Sequence, residues 1–199
     1  MKKTIAIMLA LVLCAGALQA QESRNGKWTV GVAGGYQQMG KYSDASKEWA
    51  LSESYKFGIF GEYMIGNHLG IYADVSTTTQ YRMQDPSAPS DLDLSVKIPG
   101  IQFFLAAKYE WNLKNLFLDI AAGPAYRCLS KSGKQTFETS DVHVFALGVQ
   151  PSVGWRFNSH WDLRLTNRWD FDVYSSDYNK DKYNFSGGFN ATLGVAYTF

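Results

Sequence analysis

The sequence is poor in the residues that mark many other protein classes. Its 199 residues hold two cysteines, Cys14 and Cys128, too few and too far apart for a disulfide framework or a thiolate metal site. The three histidines, His68, His143 and His160, are dispersed without ligand spacing, so neither a metal nor a cofactor is expected. Charge of one sign is lacking too. Nineteen Lys and Arg stand against 18 Asp and Glu, which leaves no basic excess to hold nucleic acid. Beyond residue 20 no apolar run approaches the roughly 18 residues that a membrane-spanning helix needs. Aromatics and glycine are plentiful instead: 12 Tyr, 12 Phe, 6 Trp and 18 Gly suit strands joined by tight turns and disfavour a helical bundle.

The first twenty residues read as an export signal. Lys2 and Lys3 precede an apolar run from Ile5 to Leu18, about the length of a signal-peptide core. Cleavage is expected after Ala20; Ala15-Gly16-Ala17 is a second small-x-small site one turn upstream. Cys14 raises a lipoprotein reading, but Leu13 stands before it where lipid modification wants a small residue. The domain that folds is then 21–199, with a charge of about −1 once Lys2 and Lys3 are gone.

Alternation with period two dominates the rest. From Phe185 to Phe199 the odd positions are apolar or aromatic apart from Gly187, and the even ones are small or polar. Trp161 to Val173 repeats the pattern, with Trp161, Leu163, Leu165, Trp169, Phe171 and Val173 on one face and Asp162, Arg164, Arg168, Asp170 and Asp172 on the other. A helix would mix these sets. Six further segments, 28–38, 55–65, 69–79, 98–111, 116–128 and 143–157, bring the total to eight strands. At about 3.3 Å per residue and a tilt near 40°, ten residues climb roughly 25 Å, the height of an outer-membrane apolar band. Strands of soluble proteins are usually nearer five or six residues.

The connections alternate in length. Gly66-Asn67, Asn112 to Lys114 and Asn158-Ser159 are tight turns, whereas 40–53, 80–97, 129–142 and 174–184 are long. This predicts an all-β, antiparallel, up-and-down barrel with both termini at the short-turn, periplasmic end and four extracellular loops. Pro99, Pro124 and Pro151 fall inside strands, where each deletes a ladder donor, so bulges or local disruption are expected there.

A soluble lipid-binding barrel shares this period, and Gly26-Lys27-Trp28 resembles the lipocalin Gly-x-Trp signature. Two features turn the apolar face outward instead. The polar faces carry thirteen charged residues but also ten glycines (31, 35, 58, 70, 100, 123, 148, 154, 188 and 194), which a crowded interior needs and a water-facing exterior does not. Trp28, Tyr63, Tyr109, Trp111, Trp155, Trp161 and Tyr197 lie on the apolar face near the short turns, as an interfacial girdle would. The chain closes on Thr192, Gly194, Tyr197 and Phe199, a polar-x-Gly-x-x-aromatic-x-aromatic ending that resembles the assembly signal of outer-membrane barrels. Taken with the export signal and eight strands, the sequence resembles the small porin-family barrels of the OmpX and OmpA transmembrane-domain type.

That resemblance implies a Gram-negative cell-envelope protein in contact with lipid and lipopolysaccharide, delivered by the barrel-assembly machinery and expected to be a monomer. The sequence shows no peptidoglycan-binding segment after the eighth strand, so no anchoring role is carried over.

Buried charges of mixed sign must pair. Counted from the short turns, Glu62, Lys108, Asp119 and Arg164, with Asp74 just above, are expected to form a lower layer, and Lys56, Arg127, Arg168, Asp170 and Asp172 an upper one. Seven acids and six bases in all lie on the polar faces, and a mixed lining is not that of a selective pore. An enzyme that modifies lipid A is the rival class, but only His143, near Asp141, Ser130 and Ser132, sits toward the outer rim, and its parity points to lipid. The outer loops set tyrosines among charges: Tyr174, Tyr178 and Tyr183 beside Asp177, Lys180, Asp181 and Lys182, a composition suited to contact surfaces. The expected function is a non-enzymatic barrel with an envelope-structural or adhesion-like role, its lumen filled by charge; a narrow passive channel is the alternative. Deleting Phe199 should trap unfolded chain in the periplasm while changing the stability of refolded protein little. Fractionation of cells expressing the truncated chain checks this, and normal arrival in the outer membrane would refute it.

Overall fold

A computed structural model describes residues 24–39, 42–44, 47–51, 54–78, 82–84, 96–97, 100–129, 142–176, 184–185 and 188–199; the export signal and its cleavage site lie outside them. Eight long strands form a closed barrel: β1 (Trp28–Met39), β2 (Ser54–Met64), β3 (Leu69–Thr78), β4 (Gly100–Leu113), β5 (Leu116–Leu129), β6 (Val142–Arg156), β7 (Trp161–Ser176) and β8 (Gly188–Thr198). Each pairs antiparallel with its sequence neighbours, and β1 closes on β8 over eleven residue pairs from Thr29↔Thr198 to Met39↔Gly188. No open edge remains, so every spanning strand has hydrogen-bonding partners on both sides, as a lipid environment demands.

Three short turns, 65–68, 114–115 and 157–160, share one end with both chain ends of the described barrel. The middle turn falls one residue later than expected. Leu113 pairs with Leu116, so Lys114-Asn115 makes the reversal, and Lys114 adopts φ 59° to do so. At the other end the long connections contain short strands where the sequence suggested only loops. Asn184–Phe185, Tyr42–Asp44, Lys47–Leu51, Arg82–Gln84 and Val96–Lys97 form, in that order, a second five-stranded sheet. Phe185 therefore belongs to this sheet, and not to the last barrel strand as its parity implied.

The prolines interrupt pairing without displacing it. Pro124 pairs with Leu147 on β6, but on its β4 side the register lacks partners for Leu105 and Ala106. Pro151 pairs with Ile120, while the β6·β7 register skips from Val149↔Trp169 to Ser152↔Thr166. A proline removes one donor but keeps an extended backbone, so each gap is local and in register. The only described register shift lies elsewhere, between Phe145 and Ala146, where Val173 is the extra residue on β7. Pro99 lies outside the described residues.

The faces sort as lipid outside and polarity inside. Val30, Val32, Ile59, Leu105, Leu147, Leu165, Phe171 and Leu193 are exposed, while Lys56, Glu62, Lys108, Arg127, Arg164, Arg168 and Asp170 are buried. A water-soluble barrel would carry the opposite arrangement. Rings flank the apolar band at the short-turn end, with Trp28 against Tyr63 (4.8 Å), Tyr109 against Trp111 (4.7 Å) and Trp161 against Tyr197 (5.0 Å). At the outer end Tyr126 meets Phe103 (6.1 Å) and Phe145 (4.9 Å). Leu193, outward-facing near the middle of β8, gives the test of this orientation. Leu193→Arg should cost about 2–4 kcal/mol of folding stability in bilayers, measured by urea titration in lipid vesicles; an unchanged midpoint would reverse the assignment of faces.

Candidate functional site

Eight strands enclose little space, and inward glycines decide what fits. A Cβ on Gly148 would come within 2.7 Å of the Phe104 ring; one on Gly31 or Gly154 would overlap the rings of Phe60 and Phe117 respectively. These glycines make recesses for large inward side chains. Tyr72 packs between Phe60 (5.8 Å) and Phe104 (5.9 Å). The rings in turn support cations. The Arg164 guanidinium lies 4.7 Å from the Phe60 centroid and 5.3 Å from that of Phe117, Arg168 lies 4.8 Å from Phe104, and Arg156 lies 4.6 Å from Phe117. Such stacking is strongest where the cation is desolvated.

The charges divide into two groups. In the inner group, near the short turns, Lys108 Nζ touches Glu62 (2.9 Å), Glu110 (3.0 Å) and Asp119 (3.1 Å). Arg164 binds Glu62 and, at 3.0 Å, Asp162. Arg156 binds Glu110 and donates to Asn112 Oδ1 at 2.6 Å. Arg24, from the segment before β1, reaches Glu110 (3.4 Å), Asp162 (3.3 Å) and Glu62 (3.9 Å). In the outer group Arg168 binds Asp74 (2.8 Å) and Asp170 (3.1 Å), Lys56 binds Asp74 (3.6 Å), and Arg127 binds Asp172.

The structure thus brings Glu62, Lys108, Asp119 and Arg164 together, and it gathers Lys56, Arg168 and Asp170 separately with Arg127 and Asp172 beyond them. It moves Asp74 out of the lower layer and into the outer group. Strands in a barrel are tilted and staggered, so residue count from a turn does not measure height, and long Lys and Arg arms reach across the difference. Four participants stand outside the predicted layers. Glu110, Asp162 and Arg156 carry the inward parity, a signal sufficient to include them. Arg24 lies outside any alternating segment, so periodicity could not place it. The stacked rings are a further addition, although Phe60, Phe104 and Phe117 occupy inward positions in their strands.

Beside the outer group lies a cavity of about 10 Å³, lined among others by Lys56, Tyr72, Asp74, Ser76, Gln150 and Thr192, room for about one water. Of the four C-terminal residues, Thr192 and Gly194 face the crowded lumen, and Phe199 is outward. The Phe199 amide donates to the Trp28 carbonyl at 2.9 Å and its ring meets Tyr197 at 5.1 Å, so the last residue adds one hydrogen bond to a seam already paired from Thr29 to Met39.

The histidines are engaged at the rims. His68 Nδ1 donates to the Glu110 carbonyl at 2.8 Å and His160 Nδ1 to the Thr198 carbonyl at 2.9 Å, both at the short-turn end. His143, on the outward face, shares a 2.6 Å hydrogen bond with the Tyr126 hydroxyl. Ser130, Ser132 and Asp141 lie outside the described residues. Cys128 is a free, half-buried thiol, and no cluster of three metal-ligating side chains occurs among the described residues.

A closed barrel of eight long antiparallel strands, apolar outside and charged inside, is an integral protein of the Gram-negative outer membrane. Residues 19–176 match the family described as outer membrane protein beta-barrel domain, and the chain belongs to that family. Among solved structures it is similar to Neisserial surface protein A (16% identity, 88% of this chain and 98% of that one, TM-score 0.62). It is also similar to OprG of Pseudomonas aeruginosa (12%, 89% and 99%, 0.62) and to the N-terminal barrel of OprF from the same organism (11%, 91% and 100%, 0.57). At these identities the likeness is one of fold. No curated protein sequence matches the chain.

Arg164 and Glu62 are buried and directly paired. Arg164→Ala should therefore cost about 3–5 kcal/mol, the range for breaking a buried pair from one side. Removing Glu62 as well should give a loss smaller than the sum by about 0.5–3 kcal/mol. Urea titrations of the two single variants and the double variant in vesicles measure this; strict additivity would show that the two side chains do not act together.

Proposed function

We propose that the protein is a non-enzymatic barrel that serves the envelope as a closed scaffold and presents its outer connections to surfaces or partners. The observation that carries this reading is the state of the lumen. Rings and two groups of ion pairs occupy it from Glu110 at the inner end to Asp172 at the outer end, and the cavity beside Lys56 and Asp74 is water-sized. An interior of that kind supports the wall and leaves recognition to the ends. Three long connections also contribute strands to one sheet beyond the barrel, which gives the tyrosine- and charge-bearing segments a framework. Thr192, Gly194, Tyr197 and Phe199 are the handle we assign to the assembly machinery.

A narrow passive channel is the second reading, favoured by the cavity beside Lys56 and Asp74, which a rearrangement of either side chain would extend. Two measurements on one set of proteins separate the readings. Cells carrying barrels with residues 80–97 or 177–183 deleted should lose binding to host-like or abiotic surfaces while the barrel still folds, and the refolded parent should show no sustained single-channel conductance. Stable conductance without a loop phenotype would establish the channel instead.

A further inference from the structure

The inner charge group is incomplete without a residue from outside the barrel wall. Its carboxylates are Glu62, Glu110, Asp119 and Asp162; the strands supply three cations to meet them, Lys108, Arg156 and Arg164. The fourth is Arg24. Among the described residues the outer group is balanced from the strands, with Lys56, Arg127 and Arg168 against Asp74, Asp170 and Asp172.

Arg24 is delivered by a built turn. Gly26 has φ +73°, which favours glycine, and its amide donates to the Met64 carbonyl at 2.8 Å. The Lys27 amide donates back to the Arg24 carbonyl at 2.9 Å, and the Met64 amide to Lys27 at 3.3 Å. The turn is thereby fixed to the end of β2, and the Arg24 side chain rises into the barrel mouth until only 8% of the residue is exposed. There its fork meets acceptors from five strands: Thr29 on β1, Glu62 on β2, Glu110 on β4, Asp162 on β7 and, at 2.8 Å, Thr198 on β8. Carboxylates and hydroxyls ranged around one planar donor suit a guanidinium better than a compact ammonium.

We infer that the periplasmic mouth is a binding site for a monoalkylguanidinium, which Arg24 occupies as a tethered ligand, so that the turn at 24–27 covers the inner end of the lumen. The tether keeps free ligands out, because an attached group acts at an effective concentration in the millimolar range or above. The inference does not depend on what the outer loops bind. With Arg24 withdrawn, the mouth has one carboxylate more than its cations and room for a solute.

The test uses refolded full-length protein, with gel mobility before and after heating as the check on folding. Arg24→Ala should unfold at a lower urea midpoint than the parent. Millimolar methylguanidinium, well below denaturing levels, should raise the urea midpoint of this variant while leaving the parent unchanged; methylammonium at equal ionic strength should not. Refolding of Arg24→Ala only in methylguanidinium would support the site equally. Arg24→Lys keeps the charge without the fork and should fall between Arg24→Ala and the parent. The proposal is overturned if Arg24→Ala matches the parent's midpoint, if methylguanidinium affects both proteins alike, or if Arg24→Lys is indistinguishable from the parent.

Discussion

Charge neutrality in a space too narrow for bulk water is the constraint on which the rest of the structure depends. Every ion taken from water into the lumen needs a counter-ion within reach, because the desolvation cost of an unpaired one is several kcal/mol. That requirement selects long Arg and Lys arms that can cross between strands. Their length creates a second requirement, for flat surfaces on which the stems and guanidinium planes can lie. Phe60, Phe104 and Phe117 provide these surfaces, and the rings fit because glycine stands opposite them. Ion pairs, inward aromatics and inward glycines are one solution to a single packing problem.

The barrel wall was legible because lipid and lumen impose opposite chemistry on alternate residues. Period two sustained over ten to sixteen positions fits neither a helix nor the short strands of most soluble sheets. All eight strands fall where alternation puts them, within a few residues at their ends. The glycine excess on the charged face gave the orientation. Vertical placement was less legible. Asp74 counts as a lower residue along its own strand and pairs with the outer group, since tilt and stagger separate chain position from depth. The short strands beyond the barrel carry too few residues to show a period. Arg24 was invisible for a different reason: it belongs to a turn, and only the position of Met64, Glu110 and Asp162 in three dimensions gives it a role.

The prolines illustrate how much local damage a closed barrel absorbs. Pro124 and Pro151 each remove pairing on one side, yet the register continues unshifted beyond the gap. An open sheet could relieve such a defect by slipping, but slippage by one residue would turn every charge of that strand toward lipid. Closure on both sides forbids the slip. The bulge at Val173 is tolerated because it comes near the outer end of β7, after the last inward charge of that strand, Asp172, has been placed.

The two ends of the lumen are consequently unlike. Toward the outside, three strand-borne cations meet three carboxylates, which balances the outer group among the described residues. Toward the periplasm the strands alone leave a carboxylate in excess, and the imbalance lies at the end where the chain enters the barrel and can correct it. A fixed wall balanced throughout would be closed permanently. A wall balanced only by a residue on a turn keeps an adjustable charge at a place where a short movement of the backbone, anchored by two hydrogen bonds to Met64 and one within the turn, changes the electrostatics of the whole inner group.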